Sequence, residues 1–257
     1  MKLCLLASGS SGNAIYVEAG ATKMLIDAGL TGKQVEVRLR AIGVDACDLQ
    51  GIAISHEHSD HIRGAGVLAR RYHLPVWMTQ GTLDASKDIF RGGERVRVFE
   101  SRSAFSVGDL HFQPFALSHD AADPVNFAVS NGASLVGIVT DTGRVTQLVY
   151  QRLRGSDLVV IEANHDREML MNGRYPWSLK QRISSNHGHL PNYRTAETLC
   201  RLAEDGLQQA VLAHLSEENN RPDLAEETCR AGLDERGVRD FALTVAGRER
   251  PSPVFDF

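Results

Sequence analysis

Three histidines and the carboxylate of Asp60 fall within the six positions His56 to His61, in the stretch Ser55-His-Glu-His-Ser-Asp-His61. Neutral imidazole and carboxylate are preferred ligands of zinc and its neighbours, so a segment crowded with them is set up to hold metal. It directly follows the apolar run Gly51-Ile-Ala-Ile54, which reads as a buried strand. The spacing suggests more than one ion. His56 and His58, two apart on an extended segment, leave it on the same side and can grip one metal, while Asp60 and His61 at the following turn reach a second. A polar surface loop and a mononuclear structural site are the competing readings. The absence of cysteine from the segment argues against the structural site.

Four side chains cannot complete two coordination spheres, so further ligands must come from other strand ends. Three candidates stand out: His119 after a strand ending at Leu117, Asp141 after Val139-Thr140, and His214 near the end of Ala210-Val-Leu-Ala213. Each alone reads as a satisfied polar residue; together, at matching positions, they place a ligand set on one rim.

The elements that must carry them follow from pattern. Lys2 to Ala7, Ala14 to Glu18 and Lys23 to Ile26 are short apolar runs bounded by Gly, Ser, Asn or Asp, hence strands joined by tight turns. Val35, Leu39 and Ile42 recur at helical spacing after a capping Thr31. Gly51 to Ser55 is a strand, Ile62 to Tyr72 a helix and Val76 to Met78 a strand. Further strands are expected at Val96 to Phe99, Leu110 to Leu117, Asn126 to Ser130, Ser134 to Thr140, Asp157 to Glu162 and Gln209 to Leu215. Helices are expected at Val145 to Arg154, Tyr193 to Glu204 and Pro222 to Arg236. Two β-rich halves with helices outside predict an α/β fold in four αββα layers. No linker rich in Pro, Gly or Ser divides it, so residues 1–257 are expected to form one domain.

Composition narrows the class. The chain has 257 residues, 42% of them hydrophobic and 23% charged, enough for a globular core. No apolar run approaches the ~20 residues of a membrane span and no signal-peptide pattern opens the chain, so a cytoplasmic location is the default expectation. Cys4, Cys47, Cys200 and Cys229 are far apart and form no Cys-x-x-Cys pair, which favours reduced thiols. A net charge of −4 does not announce a nucleic-acid binder, although Arg174, Lys180, Arg182 and Arg194 follow one another without an intervening acid.

His56-x-His58-x-Asp60-His61, the lone His119, Asp141 in Thr-Asp-Thr-Gly and the late His214 resemble the ligand motifs of the metallo-β-lactamase superfamily, in order and over almost the whole chain. The resemblance implies an αβ/βα sandwich and two divalent ions, zinc or manganese. His56, His58 and His119 would hold one, Asp60, His61 and His214 the other, and Asp141 would bridge them. His58 stands where the diiron flavoproteins of the superfamily carry Glu, and Asp141 where many true β-lactamases carry Cys. Both departures turn the reading away from oxygen reduction and antibiotic hydrolysis. Two such ions, set against the two aspartates and a hydroxide, leave the site at about +1, suited to an anionic phosphodiester.

Leu6-Ala-Ser-Gly-Ser-Ser-Gly-Asn13, Glu162-Ala-Asn-His-Asp166 and Gly188-His189-Leu-Pro-Asn192 resemble signatures of the YycJ/WalJ branch, although that branch most often has Ser where Pro191 stands. The last element is also similar to the histidine loop of the transfer-RNA 3′-processing phosphodiesterases. The resemblance implies a DNA exonuclease working from a 5′ end and linked to DNA repair, with DNA as partner and no membrane. Asp60 would orient the nucleophile, and His189 would bind phosphate or donate a proton to the departing oxygen. Ser8, Ser10, Ser11 and Asn13 would face the phosphate or simply join strands. Asn192 would line the substrate site with His189, and Asp27 and Glu162 would orient ligands from behind. His187, His165, His73 and His111 have no assigned chemistry. The rival readings are a small-molecule ester or cyclic-phosphate hydrolase of the same fold and a non-catalytic metal-dependent nucleic-acid binder.

Overall fold

The computed structural model describes residues 1–257. The first half supplies one sheet from β1 (Lys2–Ala7), β2 (Ala14–Ala19), β3 (Thr22–Ile26), β4 (Gly51–Ala53), β5 (Val76–Met78) and β6 (Val96–Val98). The second half supplies a matching sheet from β7 (Phe105–Val107), β8 (Leu110–Ala116), β9 (Val125–Ser130), β10 (Leu135–Val139), β11 (Leu158–Glu162), β12 (Gln209–Ala213) and β13 (Ala242–Val245). The terminal β14 (Phe255–Asp256) returns to pair with β1 in the first sheet.

Each sheet changes character half-way across. β1, β2 and β3 form an antiparallel meander with Leu3 opposite Val17 and Leu5 opposite Ile15, and from β3 onward the pairs are parallel. In the second sheet β7 to β10 are antiparallel, and β10 to β13 are parallel. The central parallel strands β11 and β12 are buried on both faces, which is why Leu158–Glu162 and Ala210–Ala213 read as unbroken apolar runs with one terminal exception, Glu162.

Strand alternation assigns the layers. Leu3, Leu5, Val17, Met24 and Ile26 face Phe112, Phe127, Val136, Val160 and Val211 between the sheets. Cys4, Leu6, Tyr16 and Leu25 point outward, against Val35 and Leu39 of the helix Gly32–Ala41 and Leu68 of the helix Ala65–Tyr72. Behind the second sheet, Val159, Ile161 and Leu212 meet Leu153, Leu199, Cys229 and Leu233 from the helices Gln147–Leu153, Asn192–Glu204 and Pro222–Glu235. The result is the four-layer αββα sandwich expected from the pattern. Thr31 caps its helix in a reciprocal capping box with Gln34. No helix is long and apolar enough to cross a membrane.

Some elements differ from expectation. The predicted helix Ile62 to Tyr72 is two helices, Ser59–Ile62 and Ala65–Tyr72, and the first contains Asp60 and His61. Helices at Gln80–Ala85, Arg167–Asn172 and Trp177–Ile183, and the strands β7, β13 and β14, were not foreseen; all are seven residues or shorter. Pieces this short give no periodicity to read.

The rim bearing the ligands is tightly packed at Gly29. A Cβ there would lie 1.5 Å from the Asp60 carbonyl oxygen, which itself accepts from the Asn13 N–H at 2.7 Å. Gly29→Ala is therefore expected to lower stability by about 3 kcal/mol or more, because backbone rather than a flexible side chain must move. It should also reduce bound metal. Denaturant unfolding and elemental analysis of the purified variant check both effects.

Candidate metal centre

Parallel strands deliver their carboxyl ends to one rim, the usual place for a site in such sheets. β3 leads to Asp27, β4 to Ser55 and His56, β10 to Asp141, β11 to Glu162 and β12 to His214. Asp27, Asp141 and His214 adopt left-handed backbone conformations, with φ of 60°, 55° and 53°. Asp and His tolerate that region better than most residues, and three such positions on one rim mark it as a place where strain is held for a purpose. His214 is gripped on both sides: its N–H donates to Ser8 Oγ at 2.7 Å and its carbonyl accepts from Asn164 Nδ2 at 2.9 Å.

The seven residues proposed from sequence as ligands come together. His56 Nε2 lies 3.1 Å from His58 Nδ1, which lies 3.3 Å from His119 Nε2. Beside this trio, His61 Nε2 is 3.5 Å from Asp60 Oδ2, and His214 Nε2 is 3.6 Å from the same oxygen. Asp141 sits between the groups, Oδ2 at 3.3 Å from His61 Nε2 and Oδ1 at 3.5 Å from His214 Nε2 and 4.0 Å from His119 Nε2.

These atoms fit a divalent metal. Nitrogens bound tetrahedrally at zinc distances stand about 3.3 Å apart, which is the spacing found. Asp141 Oδ2 and His214 Nε2 are buried and have no hydrogen-bond partner, so unpaired ligand atoms point into the rim. The groups behind them fix the tautomers. Asp27 accepts from Ser55 N–H and Ser55 Oγ, both at 2.8 Å, and from His61 Nδ1 at 2.7 Å. Because Ser55 Oγ donates to Asp27, it accepts from His56 Nδ1 at 2.9 Å. Glu162 Oε1 takes Nδ1–H of His189 at 2.7 Å and of His214 at 2.9 Å. Each of these rings thus turns Nε2 away from its partner and toward the rim, the arrangement by which outer groups orient metal ligands.

The electrostatics divide the histidines. Burial holds His56 and His119 below the usual imidazole range, so both are neutral and ready to ligate. Burial acts the same way on His61 and His214, but nearby carboxylates outweigh it. Asp141 and Asp27 hold His61 well above the usual range, and Asp141, Asp60 and Glu162 bring His214 up to about 10. Asp141 is held far below the usual carboxylate range because His214 and His61 overcome its burial.

A metal held by His61 and His214 would therefore have to displace their protons. Titrating divalent zinc into the metal-free protein near pH 7 should release about two protons and acidify a weakly buffered solution. Affinity should accordingly rise with pH above neutrality, about tenfold per pH unit for each proton released. Zinc uptake without proton release would contradict the assignment of these two rings.

The other expected site residues fall into two sets. His189 and Ser10, with Tyr175, Arg182 and Ser216, line a cleft of about 200 Å³ that reaches His119. Ser11 is exposed on the same turn. Ser8, Asn13 and Asn192 are buried and turned inward. Ser8 supports His214, and Asn13 Nδ2 donates to Asp60 Oδ2 at 3.2 Å and stands 3.0 Å from His61 Nε2. Asn192 exchanges amide hydrogen bonds with Asn220 at 3.0 and 2.8 Å. Their side chains brace the site instead of facing the cleft. Asp27 contacts Ser55 and His61, and Glu162 contacts His189 and His214. His165 is buried, and burial lowers its pKa to about 4; His187 is exposed at the cleft mouth. Sequence reasoning missed Ser55 and also Glu57, whose Oε1 accepts from Ala122 N–H at 2.7 Å and ties the His119 loop to the cluster. Both residues lie inside the histidine-rich motif, and that position was the available signal.

Fold and rim together define a metal-dependent hydrolase. Residues 22–215 match the family profile described as the beta-lactamase superfamily domain, and the chain belongs to that family. It is 40% identical over 235 residues to exodeoxyribonuclease YycJ of Bacillus anthracis, covering 91% of this chain and 89% of that protein. It is equally 40% identical over 231 residues to exodeoxyribonuclease WalJ of Streptococcus pneumoniae, covering 88% and 86%. Among solved structures, the metallo-beta-lactamase fold protein YhfI from Bacillus subtilis superposes with a TM-score of 0.75 at 17% identity, over 99% of both chains. That likeness bears on the fold.

Proposed function

We propose that the protein is a metal-dependent phosphodiesterase that degrades DNA from its ends, starting at a 5′ terminus and serving DNA repair. The observation that carries the reading is the 40% identity to two exodeoxyribonucleases over 91% and 88% of the chain, combined with clusters of histidine and carboxylate side chains on one rim that could hold metal. Two divalent ions, zinc or manganese, suit the set. His56, His58 and His119 would hold one, Asp60, His61 and His214 the other, with Asp141 shared. Bound metal supplies Lewis acidity that activates water and offsets phosphate charge. One domain spanning residues 1–257 fits a site whose ligands come from both sheets. A cytoplasmic place of work fits the four free cysteines.

The chain's own groups supply the rest. The Asp60 side chain is 20% exposed against 3% for Asp141, so Asp60 is the carboxylate that can accept a hydrogen bond from water entering the cleft. His189, 23% exposed and tied through Nδ1 to Glu162, presents Nε2 to stabilise or protonate the departing oxygen. His189→Ala should lower turnover by about 10²–10⁴-fold with metal content unchanged, as measured by single-turnover cleavage beside elemental analysis.

The direct test is digestion of end-labelled duplex and single-stranded DNA by zinc- or manganese-loaded protein. Progressive shortening from the 5′ end, abolished by EDTA, is expected. Intact DNA alongside rapid hydrolysis of bis-p-nitrophenyl phosphate would remove the nuclease reading and leave a small-ester hydrolase.

A further inference from the structure

We propose that the hollow bounded by Arg144, Arg194 and Arg201 binds a backbone phosphate of the DNA strand beyond the one being cut; this rests on the nuclease reading above. The hollow, about 300 Å³, lies between the loop carrying Gly143 and Arg144 and the loop carrying Asn186 and Leu190. The same loops carry Asp141 and His189, so hollow and cleft share a wall. The two loops meet closely: a Cβ on Gly143 would stand 2.3 Å from the Ser185 carbonyl oxygen. Arg144 Nε donates to Ser118 Oγ at 3.4 Å, and Ser118 immediately precedes His119. A DNA strand running on past the cleft along these loops would enter the hollow.

Its charge is unlike that of the whole protein. Among the lining residues three guanidinium groups face one carboxylate, Glu197, in a chain of net charge −4, while Asp205, just outside the lining and bonded to the Tyr150 hydroxyl, is paired with Arg154. Glu197 pairs with Arg194 at 2.7 Å, but both side chains are more than half exposed and such a pair holds weakly. Arg201 is already oriented. Its guanidinium lies 3.4 Å over the Tyr150 ring, and Nη2 donates to Gln147 Oε1 at 3.2 Å, leaving its other N–H groups for a ligand. A planar donor fork, fixed by stacking, matches the two oxygens of a phosphodiester. Rim arginines of this kind add affinity through released counterions, independent of base sequence.

The test is steady-state digestion of a labelled duplex by metal-loaded protein at several salt concentrations, comparing the parent with R194A, R201A and the double variant. For each single variant KM for DNA should rise about tenfold. The slope of log KM against log salt should become shallower by about one unit. Maximal turnover on DNA should be unaltered. R201K, which keeps the charge, should recover most of the salt slope. Parent-like KM and salt slope in the double variant would overturn the proposal, as would an equal loss of turnover on DNA and on bis-p-nitrophenyl phosphate, which would mark the arginines as structural. If the parent itself leaves DNA intact while cleaving the small ester, it is the nuclease reading that fails.

Discussion

Asp141→Asn is expected to yield a folded protein that no longer retains its metal. The substitution keeps the shape of a side chain that is 3% exposed, yet it removes the negative charge lying 3.3 Å from His61 Nε2 and 3.5 Å from His214 Nε2. Those two rings carry their protons in the metal-free chain chiefly because Asp141 faces them. Without it each ring loses the largest of its counter-charges, keeping Asp27 for His61 and Asp60 and Glu162 for His214, and the metal-free protein should lose about 3–5 kcal/mol, the usual result of breaking one side of a buried ion pair. Metal uptake suffers for a separate reason. Asp141 is the group within reach of both the His56/His58/His119 set and the Asp60/His61/His214 set, so its loss weakens both. Turnover should fall by at least about two orders of magnitude, since even groups behind metal ligands commonly cost 10–100-fold. Elemental analysis after gel filtration and cleavage of labelled DNA measure the effect. Parent-like metal content with full turnover would falsify the central place given to Asp141.

Much of the site could be read because its chemistry coincides with chain punctuation. His56 to His61 is contiguous, and Asp141 and His214 follow apolar runs that the structure shows as the parallel strands β10 and β12. What stayed hidden depends on contacts across the fold. Asn13 reads as a turn residue that could face phosphate, yet the turn folds back so that its amide meets Asp60 and His61, and Gly9 N–H fixes the amide orientation by donating to Oδ1 at 2.9 Å. Nothing within ten residues of Asn13 reports this. Ser8 is similar: its hydroxyl serves a backbone group 206 positions away. Layering was legible from period-two alternation and buried runs, while the edge strands β7, β13 and β14 are too short and too exposed for either signal. The acid-free run from Arg174 to Arg194 proved mixed. Lys180 is buried, donating to the Met171 carbonyl at 2.7 Å, and Arg182 pairs with Asp120 at 3.0 Å, so the run is not one continuous basic face.

Glu162→Gln should both destabilise the metal-free protein and flatten its response to pH. Four donors converge on this fully buried carboxylate: His189 Nδ1 and His214 Nδ1 on Oε1, and the N–H groups of Thr142 at 2.9 Å and Leu190 at 3.2 Å on Oε2. Burial alone would raise its pKa, but the charges and hydrogen bonds of His189 and His214 prevail and bring it from 4.5 to about 2. A folded value below the unfolded one means that this group stabilises fully above pH 4.5 and loses its contribution as pH falls through about 2. His214 works in the opposite sense. Raised from 6.5 to about 10, it stabilises fully below pH 6.5 and loses its contribution as pH rises through about 10. The metal-free parent should therefore be most stable between these limits and weaken on either side. Glutamine keeps the volume but offers no charge and turns an amide N–H toward donors, so it removes the acidic window and part of the alkaline one together. At pH 6 the cost should be about 3–5 kcal/mol. In the metal-loaded enzyme, where the same carboxylate orients His189 and His214, turnover should drop about 10–100-fold. Denaturant unfolding of EDTA-treated protein from pH 3 to pH 10, beside cleavage assays of the loaded form, separates the two effects. Superimposable stability profiles for parent and variant would show that Glu162 holds neither histidine.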